Sequence, residues 1–320
     1  MIGARLIREP FRAMGTECVV AATARPREEA RARRALAAGR REVETCERVL
    51  SRFLPESDLS CLNRADGRWT VVDGRLLAAL RVALHFRNET NGAFDPTILP
   101  ALVAAGYDRS FEQLDGRGAT GTGSSPAAAL VELDAATSRA RLEPGAAVDL
   151  GGLGKGLAAS RAIGAMREAW AELPGALVDL GGDISVWGAT PEGGPWRLTV
   201  ADPRAPGHDL GTLEIDGGAV ATSGRDQRRF GPGGKLHHLI DPATGAPARS
   251  GPLAVTVVGS EGAEVEAYST ALAITPVCEA ARCLSTRQFL SALLVPDEGP
   301  PVVVGDLPLV TNPQLAEVFA

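Results

Sequence analysis

Between residues 27 and 50 the chain reads REEARARRALAAGRREVETCERVL, with apolar residues recurring at roughly helical spacing among arginines and glutamates. Strong helix formers in that pattern predict a surface helix that runs into the loop SRFLPESD. The interleaved Glu28, Glu29, Glu42, Glu44 and Glu47 make its arginines part of a solvated, mixed-charge face. GRLLAALRVALHFRNETN predicts a second helix ending near Gly92, its apolar middle packed on a sheet. The small, polar run from Gly118 to Ala129 reads as a surface loop or a connection between lobes. Beyond it, ALVELDAATSRARLEPGAAVDL predicts two strands around a turn. Val-Asp-Leu-Gly-Gly then occurs twice, at Val148 to Gly152 and Val178 to Gly182, each closing an apolar, strand-like run, with the helical GLAASRAIGAMREAW between them. That is a strand, glycine loop, helix, strand unit. No period recurs elsewhere, which excludes a repeat architecture. LAVTVVGS, FLSALLVP and PPVVVGDLPLV add strands and EGAEVEAYSTALAI a helix, so the whole reads as α+β.

Composition removes several functions. With 45% hydrophobic and 22% charged residues, 320 residues are ample for a large core. The 33 basic and 39 acidic residues give a net charge of -6, which offers no global positive field to a nucleic acid. No run approaches the roughly 18 consecutive apolar residues that span a bilayer, so no integral membrane segment is expected. MIGARLIREPFRAMG lacks an apolar signal core. The expectation is a cytoplasmic chain, or an exported one if a leader has been removed. Five scattered cysteines without a C-x-x-C pair fit buried, reduced thiols, and four histidines in distant segments make a zinc site a poor fit.

Four segments can carry chemistry. DLGGLGKG, Asp149 to Gly156, sets glycines and Lys155 between a strand and a helix N-terminus, where backbone N–H groups face an anion. It matches neither the P-loop nor the dinucleotide fingerprint, and a tight structural turn is the alternative. Lys155 and Lys235 are all the lysine of an arginine-dominated chain. In EVEAYSTAL, Glu266 and Thr270 stand four residues apart on one helix face, hard oxygen donors suited to Mg²⁺ bound with phosphates, or else an ordinary helix surface. KLHHLIDPATGAP places His237, His238 and Asp241 before a turn, where a histidine serves as general base or simply as structure. ATSGRDQRRF offers Ser223 and Gly224 in a turn, then Arg225, Arg228 and Arg229, for phosphate or for solvent. Phe53 and Phe94 can stack on a flat ring or fill a core.

Taken in order, MGTE at Met14, SRFLPESDLSCLN at Ser51, GAFDPT at Gly92, DLGGLGKG at Asp149, ALVDLGGDI at Ala176, ATSG at Ala221, HLIDPATG at His238 and AYSTAL at Ala267 resemble the FAD:protein FMN transferases, the ApbE family. The resemblance spans nearly the whole chain. It implies a single domain over residues 1–320 with a two-lobed α+β fold, FAD in the cleft between the lobes and Mg²⁺ at its pyrophosphate. The implied reaction moves FMN from FAD to a Ser or Thr hydroxyl of an acceptor flavoprotein and releases AMP. By resemblance, Met14, Phe53, Ala93, Phe94, Asp95, Asp149, Lys155 and Ile240 match the flavin-nucleotide contacts. Gly152 through its carbonyl, with Glu266 and Thr270, matches the metal positions. Lys155 neutralises the pyrophosphate and His238 is the candidate base. Glu266 stands where the family normally has Asp, and Arg225 and Asp226 where an acidic and then an aromatic residue commonly follow. Two alternatives stay open: on the same phosphate and metal segments, an FAD pyrophosphatase with water in place of the hydroxyl, and, on those departures, an FAD-binding protein with weakened transferase activity.

Overall fold

Alternating apolar residues along Arg5–Ala13 and Thr16–Ala24 make two strands that pair antiparallel around Met14 and Gly15, both at positive φ. That backbone matches the right-handed twist of the strands it joins. The hairpin opens a computed structural model that describes residues 3–114, 129–225, 229–230, 236–287 and 289–310. Residues 118–128 of the loop expected from Gly118 to Ala129, and Asp226, Arg228 and Lys235, lie outside the described residues. The helices described are α1 Glu29–Leu50, α2 Asp58–Asn63, α3 Gly74–Glu89, α4 Leu99–Ala104, α5 Gly154–Ala169, α6 Gly262–Ala273 and α7 Val277–Ser285.

The hairpin is one edge of an eight-stranded sheet, continued in space by Gly175–Leu180, Ile184–Gly188, Gly217–Gly224, Ala254–Gly259, Ser291–Val295 and Val302–Val304. Helices α1, α5 and α6 cover one face. A three-stranded sheet of Trp196–Ala201, Asp209–Ile215 and Leu309–Val310 covers the other. This two-sided cover explains the unbroken apolar runs: Val255 and Val257 join the helix-side core, whereas Val258 joins the second core. A smaller part carries α2, α3, α4 and the short strands Thr70–Val71, Val131–Asp134 and Arg139–Leu142. Beside it, Ala101, Leu102, Tyr107, Phe230 and Ile240 form a separate apolar cluster. The α+β reading therefore holds, in a two-part arrangement. Among the described residues no helix is long and apolar enough to cross a membrane.

Three expectations need correction. The first Val-Asp-Leu-Gly-Gly is not the end of a strand, since Arg139–Leu142 stops before Pro144 and Gly145. The Asn63 side chain satisfies both backbone groups of Val148, at 2.8 and 2.9 Å, and Asp149 N–H donates to the Pro96 carbonyl, so no neighbouring strand is required. Ser223 and Gly224 lie in a strand, opposite Val255 and Ala254, because the Ser223 hydroxyl is taken up by Ser269 at 2.8 Å. All five cysteines are free, but only Cys18 and Cys46 are buried, with thiols pushed up to about 11 by burial. Cys278 and Cys283 sit on the outer side of α7.

Candidate active site

A cavity of about 590 Å³ opens where the Met14–Gly15 and Gly181–Gly182 turns and Thr222–Gly224 meet the N-terminus of α5 and one face of α6. Its size suits a small-molecule ligand. Met14, Phe53, Ala93, Phe94, Asp95, Asp149, Gly152, Lys155, His238, Ile240, Glu266 and Thr270 all line it. Every residue that the resemblance matched to a nucleotide contact, a metal position or the base thus lines one space.

The floor is set by a close helix crossing. A Cβ on Gly156 would stand 2.1 Å from the Gly262 carbonyl oxygen, and one on Gly262 would stand 2.1 Å from that of Gly156. Only glycine at both positions lets α5 and α6 approach this closely. The crossing brings Glu266, 2% exposed, to the first turn of α5, where its Oε2 accepts the Gly156 N–H at 2.7 Å. A carboxylate is favoured at that helix terminus. Its Oε1 accepts from Lys155 Nζ at 3.1 Å, and the same ammonium forms a closer ion pair with Asp183, 4% exposed. Lys155, read from sequence as standing where an anion would sit, therefore begins between two buried carboxylates. One helical turn beyond Glu266, the Thr270 hydroxyl donates to the Gly152 carbonyl at 3.5 Å.

Asp149 and Asp95 would each repel an anionic ligand were they uncompensated. Asp149 is paired with Arg52 at 2.5 Å and accepts the Gly151 N–H at 2.6 Å. Asp95 caps the short helix Pro96–Ile98 through Thr97 N–H and hydroxyl and pairs with Arg87 at 3.4 Å. Arg52 also donates to the Tyr107 carbonyl at 3.0 Å, and its guanidinium lies 4.1 Å from the Phe53 ring centre and 4.8 Å from that of Tyr107. Of the two phenylalanines, Phe53 is 40% exposed and Phe94 only 3%. Phe53 thus presents ring surface to a ligand, whereas Phe94 is mostly core. Met14 holds φ at 51°, an uncommon setting for a residue with a side chain, and its N–H donates to Glu47 at 2.7 Å.

The two adjacent histidines separate cleanly. His237 is buried with Nε2 on the Ala248 carbonyl at 3.0 Å, and burial lowers its pKa. His238 is half-buried, lines the cavity and meets the Tyr107 ring edge-on. Arg225 points away, into the carbonyls of Gly251 and Pro252 and the carboxylate of Asp297.

Among the cavity residues not singled out from sequence are Arg52, Tyr107 and Asp183. Arg52 sits in the SRF segment beside Phe53, and Asp183 directly follows the second Val-Asp-Leu-Gly-Gly, so the signal for both was adjacency to a recognised motif.

The donors fit a divalent cation. Among the described residues no three His, Cys, Asp or Glu side chains cluster as a ready metal cage. A buried carboxylate, a hydroxyl and a backbone carbonyl nevertheless converge, and an ammonium already occupies the cationic place beside Glu266. Hard oxygens of this kind, completed by substrate phosphates, are the usual surroundings of Mg²⁺.

A family model described as the ApbE family matches residues 14–294. The FAD:protein FMN transferase of Treponema pallidum is 29% identical over 254 residues, covering 70% of this chain and 67% of that protein. That of Escherichia coli K12 is 26% identical over 270 residues, covering 81% and 75%. The crystal structure of the ApbE protein of Thermotoga maritima matches with a TM-score of 0.82 at 25% identity, over 94% of this chain and 97% of that one. The apo flavinyl transferase ApbE of Pseudomonas stutzeri shares the fold, with a TM-score of 0.79 at 20% identity over 100% and 98% of the two chains.

Proposed function

Because the chain belongs to the ApbE family, we propose that it transfers FMN from FAD to a Ser or Thr hydroxyl of an acceptor flavoprotein and releases AMP. The observation that carries this reading is the meeting of a buried lysine–carboxylate cluster, a helix N-terminus and a histidine in one cavity. The acceptor oxygen attacks the FMN-side phosphorus. A new P–O bond forms as the bond to the bridging oxygen breaks, and AMP leaves with that oxygen. His238 accepts the hydroxyl proton at Nε2, its Nδ1 being buried. Lys155 Nζ, at the positive end of the α5 dipole, meets the charge that grows on the pyrophosphate. Glu266, the Thr270 hydroxyl and the Gly152 carbonyl would hold Mg²⁺, which would supply Lewis-acid charge neutralisation there. Met14, Phe53, Ala93, Phe94 and Ile240 give the flavin an apolar wall. Asp149 and Asp95, neutralised by Arg52 and Arg87, shape that wall without repelling the nucleotide.

Mass spectrometry after mixing the protein with FAD, Mg²⁺ and a Ser/Thr-bearing acceptor flavoprotein tests this. The acceptor should gain one FMN for each AMP released. His238→Gln should slow turnover by about 10²- to 10⁴-fold while FAD still binds. FAD bound but unchanged with every acceptor would overturn the reading, and AMP formed with no acceptor modified would make the protein an FAD pyrophosphatase.

A further inference from the structure

Lys155 is shared by two carboxylates from different elements: Glu266 on α6, and Asp183 at the exit of the Gly181–Gly182 turn. Both are almost fully buried, so neither pairing is an incidental surface contact. Two carboxylates against one ammonium leave this cluster short of positive charge. A divalent cation on Glu266 would supply it, but would compete with Lys155 for Oε1 and repel the ammonium. A lysine has a flexible four-carbon stem and, with neither carboxylate to hold it, swings toward solvent. Asp183 is the second anchor.

We infer that Asp183 is a positioning residue: it retains Lys155 at the cavity floor while Glu266 passes from the ammonium to a divalent cation. This deepens the proposed function and rests on its assignment of Glu266 to the metal. Asp183 acts through Lys155 and is not itself a metal ligand. Removing Lys155 frees Glu266 of its competitor. Removing the Asp183 charge leaves Glu266 as the sole partner of Lys155 and makes the exchange harder. With Lys155 gone, Asp183 has nothing left to hold.

Mn²⁺ titrated into the full chain, with the free ion followed by its paramagnetic resonance signal, tests this without turnover. Lys155→Met should tighten Mn²⁺ binding by about tenfold and Asp183→Asn should weaken it by about tenfold, whereas Asp183→Asn in the Lys155→Met background should change it by less than about threefold. Asp183→Glu, which keeps the charge, should restore most of the affinity. An equal loss from Asp183→Asn in both backgrounds would make Asp183 a direct ligand and overturn the inference. So would an Mn²⁺ affinity unchanged by Lys155→Met, a result that stands even if Asp183→Asn fails to fold. In those outcomes the metal reading survives. An absence of Mn²⁺ binding in the parent protein would remove the metal assignment and the inference together.

Discussion

Arg52 joins three tasks in one side chain: it neutralises Asp149, ties down the Tyr107 carbonyl and lies against two aromatic rings. Its side chain is 6% exposed and that of Asp149 12%, so solvent screens the pair little. Arg52→Met should leave a buried, unpaired carboxylate and cost about 3 kcal/mol in urea unfolding, because breaking one side of a buried pair exceeds the worth of the pair itself. Arg52→Lys should recover only part of that, since a point charge replaces a planar fork. At this scale the sequence shows residue types beside glycines and turns, which is why Lys155, Glu266, Thr270 and His238 were legible as site candidates. It does not show who pairs with whom. Arg52 and Asp149 are 97 positions apart, and no local pattern links them. Lys155 read as an open anion site because Asp183 and Glu266 reach it only through the tertiary fold.

Among the elements, the crossing of α5 and α6 governs the site. Gly156→Ala would drive a methyl group into the Gly262 backbone, which no side-chain rotation relieves. The helices must part, and the Gly156–Glu266 hydrogen bond goes with them. A stability loss of about 3 kcal/mol is expected by thermal and denaturant unfolding, as for other overpacked cores, together with a raised KM for FAD. Unchanged stability would show that the crossing has slack. Both helices were legible from their helix-forming residues, and Gly175–Leu180 and Ala254–Gly259 as strands from their apolar runs. The first Val-Asp-Leu-Gly-Gly misled because apolar residues in a row read as strand. The hydrogen bonds that would make it one are supplied by the Asn63 side chain, which carries no such signature.

In the molecule as a whole, Glu42 on α1 binds Arg75 on α3 and Arg161 on α5. Burial works to raise its pKa, but the two guanidinium groups outweigh it and hold the carboxyl below the ordinary 4.5. A depressed carboxylate stabilises the folded state above its ordinary pKa, and that contribution is lost as pH falls through the folded value. Unfolding midpoints measured from about pH 6 down to about pH 3 should therefore drop less steeply in Glu42→Gln than in the parent. An identical acid limb in the two proteins would deny this junction its role. The α+β class was legible at this scale from the mixture of periods. The three-stranded sheet that covers the second face was not, because it joins Leu309–Val310 to strands roughly a hundred positions earlier.

The cavity lining begins at Met14 and ends at Thr270. A chain leaving the ribosome completes its first hairpin early, yet that hairpin has no further strand to pair with until Gly175–Leu180 emerges. The α6 wall arrives later still. Contacts this distant in sequence form slowly, so a partly synthesised chain lacks the complete cavity until α6 has been made.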